Sequence, residues 1–502
     1  MLRFSVFDST GPASTWPVES AHLLGPDDVA VPGEVALKGG RLECRRGSST
    51  QAAALCVRYD AGSVGTLMLQ TCLLPDRAEP YGLSLELARH RIKTFIVKSE
   101  EWQMFDLDPE HPAMKLWEEA RRLLTLAINM PDPVEADRTA RRSLIRGIEA
   151  TERLAMAHAE VLLHRRYASK AASSVTLGAR VWPQMEAPAL RDFMKKEFDV
   201  IALPTRWNLI EAEEGTYEWD ALDGWMDWAQ RQGRPIVAGP LLDFSKAALP
   251  QWMYVWQHDY DTCRDLAYDF VDKVVSRYKD RVGIWNVCAG LNINETFEFT
   301  AAQMLDLTRM AALFVRQAKK GARVMIELAQ PFGEFAASNR GALPPLAFID
   351  QLIQEGIRVD SLGLRLLFGP GGRGRECRDL MQISGLLDRF AALELPVLIT
   401  AMGVPSEGGD EAGQWHGPWS PELQARWATR ALAIALSKPF VESVFWADLF
   451  DHEQMEVAAS GLITADGRAR PALKQLVSMR RRLRKPLGPL RVGAAAPMET
   501  EP

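Results

Sequence analysis

Cysteine is scarce: the chain has six in 502 residues, with no C-x-x-C pair and no histidine at zinc spacing. A disulfide framework and a zinc-ribbon type of site are therefore excluded, and the thiols are expected to be reduced. Long apolar runs are missing too. No stretch approaches the roughly 20 residues needed to span a bilayer. The opening MLRFSVFDSTGPASTW lacks a charged segment followed by an apolar one and a small-residue cleavage site. These absences predict a soluble chain that stays in the cytoplasm and has no membrane partner. Nor is there a basic excess: 59 Lys+Arg against 65 Asp+Glu leave a net charge of −6. Little remains to condense on phosphate, which argues against nucleic acid as a partner. His158 and His164 are not i, i+4 partners and no cofactor motif is found, so neither metal nor cofactor is expected.

What is present is an ordinary globular composition, 47% hydrophobic and 25% charged, in a chain long enough for several domains at roughly 150 residues each. Residues 1–107 alternate short β-rich runs with turns (VALKGGRLECR, AALCVRYDAGSVGTLMLQTCLL, YGLSLELARHRIKTFIVK). They predict an antiparallel β-sandwich-like domain with a glycan-binding or docking role. Residues 108–170 turn helical, with Pro131-Asp132-Pro133 between two helices, and read as a connector. Residues 171–485 repeat a short apolar strand and an amphipathic helix. The strands are VTLGARV, DVIALP, RPIVAGPLL, VGIWNVCAG, ARVMIELAQ, VDSLGLRLLF, LPVLITAMGV and VESVFWADLF. The predicted class is α/β, a (β/α)8 TIM barrel preceded by the sandwich and connector, with a disordered tail at 486–502.

Specific motifs in the barrel segment carry a resemblance. Trp207, Glu211, Gly215, Tyr217, Trp219 and Asp220 lie within FDVIALPTRWNLIEAEEGTYEWDALDGWMDWAQRQGRPIVAG. Leu249-Pro250-Gln251-Trp252, Ile284-Trp285-Asn286-Val287 and Leu395 to Thr400 follow in order. Phe445-Trp446-Ala447-Asp448, Gly461 to Asp466 and Arg470-Pro471-Ala472 close the series. Together they resemble glycoside hydrolase family 10, the endo-1,4-β-xylanase family. The resemblance implies a β-linked sugar substrate and a retaining mechanism by two carboxyl groups about 5–5.5 Å apart. Laid on this chain, the family's acid/base and nucleophile glutamates fall at Gly290 and Ala401, neither of which can carry out proton transfer or attack. Where the family has Glu-Asn-Glu after strand two, this chain has Thr205-Arg206-Trp207; the glutamine of strand six corresponds to Arg365.

Other acids at strand ends are candidates for a relocated catalytic pair: Glu295, Glu327, Asp243 and Asp448. Arg206, Trp207, Asn286, Arg365, Trp415 and Trp446 are the candidate substrate-binding residues. The two arginines would either hold a uronate or phosphorylated sugar or pair with neighbouring acids; the tryptophan rings would stack on sugar C–H faces. The Gly-rich loop from Ser406 to Ser420, which carries Trp415 and His416, reads as a mobile lid. The expected function is therefore a carbohydrate-active, glycosidase-like barrel with a non-standard site, acting on a β-linked oligosaccharide or polysaccharide. The alternatives are a catalytically silent barrel that binds a glycan or a protein, and a barrel whose mouth forms an interface in a homo-oligomer or with a partner.

Overall fold

The computed structural model describes residues 1–485 except 9–10, 48–50, 168–175, 186–187, 370–373 and 409–410. The tail expected at 486–502 lies outside the described residues. The N-terminal region contains β1 (Leu2–Ser5), β2 (His22–Leu24), β3 (Ala30–Val31), β4 (Gly33–Lys38), β5 (Arg41–Arg46), β6 (Ala54–Asp60), β7 (Thr66–Gln70) and β8 (Tyr81–Gly82). They form two four-stranded sheets, ordered β4-β5-β1-β8 and β3-β2-β6-β7. The β1/β8 pair is parallel, so this region is not wholly antiparallel.

Three helices follow: α1 (Leu83–Glu101), α2 (Pro112–Ile128) and α3 (Pro133–Tyr167). The run YGLSLELARHRIKTFIVK, expected to be a strand, is mostly α1. Its buried positions include Leu83, Leu87, Arg91, Ile92, Phe95 and Ser99, which recur every three or four residues and so form one face of a helix. Polar members of that face, Arg91 and Ser99, hide the period from a purely apolar count. No helix among the described residues is long and apolar enough to cross a membrane.

The remaining elements are β9 (Leu177–Arg180), α4 (Pro188–Glu197), β10 (Val200–Leu203), α5 (Trp207–Ile210), α6 (Asp220–Arg231), β11 (Ile236–Ala238), α7 (Tyr260–Tyr278), β12 (Ile284–Ala289), α8 (Ala301–Ala318) and β13 (Arg323–Leu328). They continue with α9 (Pro345–Gln354), β14 (Ser361–Leu367), α10 (Leu380–Ala391), β15 (Val397–Gly403), α11 (Pro421–Ser437), β16 (Val441–Trp446) and α12 (Pro471–Leu483). Strands β9 to β16 close into an eight-stranded barrel in sequential order, as the repeated strand-helix pattern predicts. Parallel strands covered by helices are buried on both faces, hence their continuous apolar character; every residue of β15 is buried. Val200, Val237, Met325, Leu398 and Phe445, from five strands, form an apolar plug inside the barrel. The strand-end polar residues lie above it.

The Ser406–Ser420 loop is not a free lid where it is described. Gln414 N–H donates to Thr66 O (2.8 Å) and His416 N–H to Val64 O (3.0 Å), docking it on the start of β7. Gly65 makes this close approach possible: its φ is +100°, and a Cβ there would lie 2.1 Å from Gln414 O. Gly65→Ala is expected to cost more than about 1 kcal/mol, because both the backbone angle and the contact forbid a side chain. Urea unfolding checks this; an unchanged midpoint would show that the loop does not dock there.

Candidate functional site

The C-terminal ends of the barrel strands bring together residues far apart in sequence. Glu327 lies near the end of β13, where the parallel register pairs it with Gly363 of β14, and Arg365, two residues further along β14, stands within reach of it. Arg365 Nε–H donates to Glu327 Oε1, and Asn286 Nδ2–H from β12 donates to the other oxygen at 2.7 Å. The same guanidinium reaches Glu456 Oε2 at 3.2 Å and Asp243 Oδ2 at 3.7 Å. Arg180, at the end of β9, donates to Glu456 Oε1 at 3.0 Å and to Ala447 O at 2.8 Å, and lies 3.5 Å from Asp448 Oδ1. Arg375 adds a further contact to Glu456 at 3.4 Å. His452 Nε2 lies 3.2 Å from Asp448 Oδ1, and its ring stacks on Trp182 at 4.9 Å.

The electrostatic consequence is a mouth neutralised by its own residues. Burial alone would raise the Glu456 carboxyl, but Arg365, Arg180, Arg375 and Arg206 outweigh it and hold it well below the usual carboxylate range. Burial would likewise favour loss of charge on Arg365; Glu327, Glu456 and Asp243 outweigh it and hold the guanidinium firmly charged. Arg206 makes no ion pair among the described residues and lies over the Trp182 ring at 4.7 Å. Its basicity is lowered by burial and by the neighbouring Arg180. The space left between Arg206, Asp243, Asn286, Glu327, Arg365 and Thr400 is about 30 Å³. That volume admits a water or two, whereas small-molecule sites run to roughly 300–1,000 Å³.

The sequence-singled residues thus divide. Asp243, Asn286, Glu327 and Arg365 meet in one network, with Asp448 joined to it through Arg180. For Arg365, pairing with neighbouring acids is what the structure adopts. Glu295 is exposed, outside this network, beside a neighbouring cavity of about 40 Å³ that Asp243 and Arg365 also line. The three tryptophans do not offer open platforms. Trp207 is buried, stacks on Phe270 at 4.6 Å and donates to Glu211 at 2.8 Å. Trp446 is 1% exposed and donates to Ser460 O at 2.9 Å. Trp415 is fully buried at the seam with α3, donating to Glu152 Oε1 at 2.6 Å. Each ring has been drawn into packing by a hydrogen-bond acceptor for its N–H. Strand-end reasoning missed Arg180, although it ends VTLGAR. Glu456 had no signal: it stands in the loop after β16, and only the path of that loop puts it over the mouth.

Gly290 and Ala401 sit in surroundings of different kinds. Gly290 is left-handed (φ +61°), and a Cβ there would lie 3.2 Å from Ala329 Cβ and 3.3 Å from Ile293 Cδ1. Ala401 is buried in an apolar cluster with Leu367, Ala447 and Val457.

The model of the family described as Glycosyl hydrolase family 10 matches residues 166–477. The chain is similar to endo-1,4-beta-xylanase B of Thermotoga neapolitana, at 22% identity over 283 residues, covering 54% of this chain and 75% of that protein. It is also similar to endo-1,4-beta-xylanase 3 of Hypocrea jecorina, at 26% identity over 180 residues, 34% of this chain and 48% of that protein. The chain thus spans about three quarters of the first relative and about half of the second. Among solved structures, xylanase 10B of Thermotoga petrophila in complex with xylobiose aligns at 16% identity, with a TM-score of 0.48 and coverage of 64% of this chain and 97% of that one.

Proposed function

Because the chain belongs to glycosyl hydrolase family 10, we propose that it is a carbohydrate-related member of that family whose barrel binds rather than hydrolyses. The observation that carries this reading is the fate of the mouth carboxylates. Glu327, Glu456, Asp243 and Asp448 each face a guanidinium, and the space that Asp243 and Glu327 line is about 30 Å³. Retaining hydrolysis needs one carboxyl kept protonated to serve the leaving oxygen and another open to the anomeric carbon. A carboxylate clamped by arginine is poorly suited to either task.

The positions at which the resemblance places the family's two glutamates support the same reading. Gly290 carries no side chain in a turn crowded by Ala329 and Ile293. Ala401 faces apolar neighbours that would penalise a charge. A carbohydrate would then contact the rim, where the half-buried rings of Trp182, Trp252 and Tyr254 lie on segments following β9 and β11.

The test is hydrolysis by the purified full-length protein of xylobiose, longer xylo-oligosaccharides and aryl β-xylosides, alongside Glu327→Gln and Glu295→Gln. The expected result is no turnover by any of the three proteins, with Glu327→Gln lowering the melting temperature and Glu295→Gln leaving it unchanged. Turnover by the wild type that either substitution abolishes would instead establish relocated chemistry and overturn the silent reading.

A further inference from the structure

A cavity far larger than those at the barrel mouth is bounded by described residues elsewhere. It measures about 810 Å³ and lies outside the barrel, between α2, α3, α11 and α12, with His416 of the docked loop on its wall. Its size falls within the range of small-molecule sites. Part of the wall is apolar, from Leu116, Met156, Leu163, Met479 and Leu483.

The charged part is unbalanced. Arg153 on α3, Arg426 and Arg430 on α11 and Arg482 on α12 all line the cavity, and none forms an ion pair with a carboxylate among the described residues. Arg426 and Arg430 lie over the Trp415 ring, at 5.2 and 5.6 Å. A ring face draws on the positive charge but provides no acceptor for the in-plane N–H groups. The acids on the wall are mostly committed. Glu149 is paired with Arg146 at 2.8 Å. Glu152 is buried and bonded to Trp415, His416 and the Leu380 N–H. Glu160 is the one remaining. Burial, together with repulsion from Arg426 and Arg153, lowers the basicity of Arg430 against the opposing pull of Glu152. The mouth and this cavity therefore differ in kind: one is neutralised by its own residues, whereas the other gathers four cations with little to answer them.

We propose that this cavity is a binding site for a small organic oxyanion, a phosphorylated or carboxylated molecule. Its anionic group is held by the Arg153, Arg426 and Arg430 guanidinia, and its body lies against Met156 and Leu163. Guanidinium N–H groups pair bidentately with either oxyanion, and an anion here would relieve the repulsion among the arginines. The inference does not depend on the mouth being inactive.

The test is calorimetric titration of the full-length protein with glucose 6-phosphate, glucuronate and glucose, repeated on Arg426→Gln/Arg430→Gln. At least one of the two anions is expected to bind and glucose not to. Affinity should fall about tenfold or more in the double variant, as loss of charge-assisted hydrogen bonds implies, and should weaken with added salt. The ranking of glucose 6-phosphate against glucuronate identifies the preferred oxyanion. Removing mutually repelling charges should leave the melting temperature unchanged or higher; if that variant fails to fold, Arg153→Gln, at an exposed position, should show the same direction of loss. Binding of neither anion, binding that is unchanged in the folded variant, or equal binding of glucose would overturn the proposal.

Discussion

Arg365→Met is expected to destabilise the protein by about 3–5 kcal/mol near neutral pH, the usual consequence of removing one partner from a buried ion pair. Among the described residues, Arg365 is the one guanidinium shared by Glu327, Glu456 and Asp243. Methionine fills a similar volume but leaves these acids facing one another. Glu456 keeps Arg180 and Arg375 but loses Arg365, the largest of the charges that hold its carboxyl low, while Glu327 and Asp243 lose the guanidinium they share. The pH dependence follows in sign. The Glu456 carboxyl is held low in the fold, so its contribution is complete above its ordinary value near 4.5 and is lost as the pH falls below that value. The gap between wild type and variant should therefore be widest near neutrality and narrow in acid. Urea unfolding at about pH 7 and about pH 4 measures both. A variant as stable as wild type at neutral pH would show that the mouth network holds no net stabilisation.

Arg91→Met should produce a loss of similar size by separating the N-terminal helices from the barrel. Arg91 on α1 pairs with Asp379, which caps α10; both side chains are buried. Burial raises the Asp379 carboxyl; Arg91 opposes this and nearby Glu152 adds to it. With Arg91 gone, Asp379 stays buried beside Glu152 without its ion-pair partner, at a cost of about 3–5 kcal/mol. A carboxyl raised in the fold is no burden below its ordinary value, near 3.8, and becomes one as the pH climbs through its folded value. Acidification should thus rescue the variant relative to wild type. Thermal melting across pH, with Arg91→Lys as the variant that keeps the charge, separates this from lost packing: the lysine should recover part of the deficit. Equal melting of Arg91→Met and wild type would mean the seam is held by other contacts.

How far these features can be read from the chain differs between them for physical reasons. The eight barrel strands are legible because a strand buried on both faces must be an unbroken apolar run, as in Val397–Gly403. The places of Asp243, Glu327, Arg365 and Asp448 follow from strand ends in a parallel barrel, which all open on one face. Helix α1 was harder, because Arg91 and Ser99 sit on its buried face and break the apolar period.

The sequence by itself determined the barrel, the order of its strands, and the strand-end places of Asp243, Glu327, Arg365 and Asp448. These depend on local periodicity and on topology, and both are written residue by residue. Only the tertiary structure decided that the mouth acids are spent on arginines, that Trp415 is buried against Glu152, and that Arg153, Arg426, Arg430 and Arg482 meet around one cavity. Whether a charge is paired or left to seek a ligand depends on neighbours from distant segments. A local pattern cannot contain such neighbours, because burial and Coulomb interaction are set by distance in space and not along the chain.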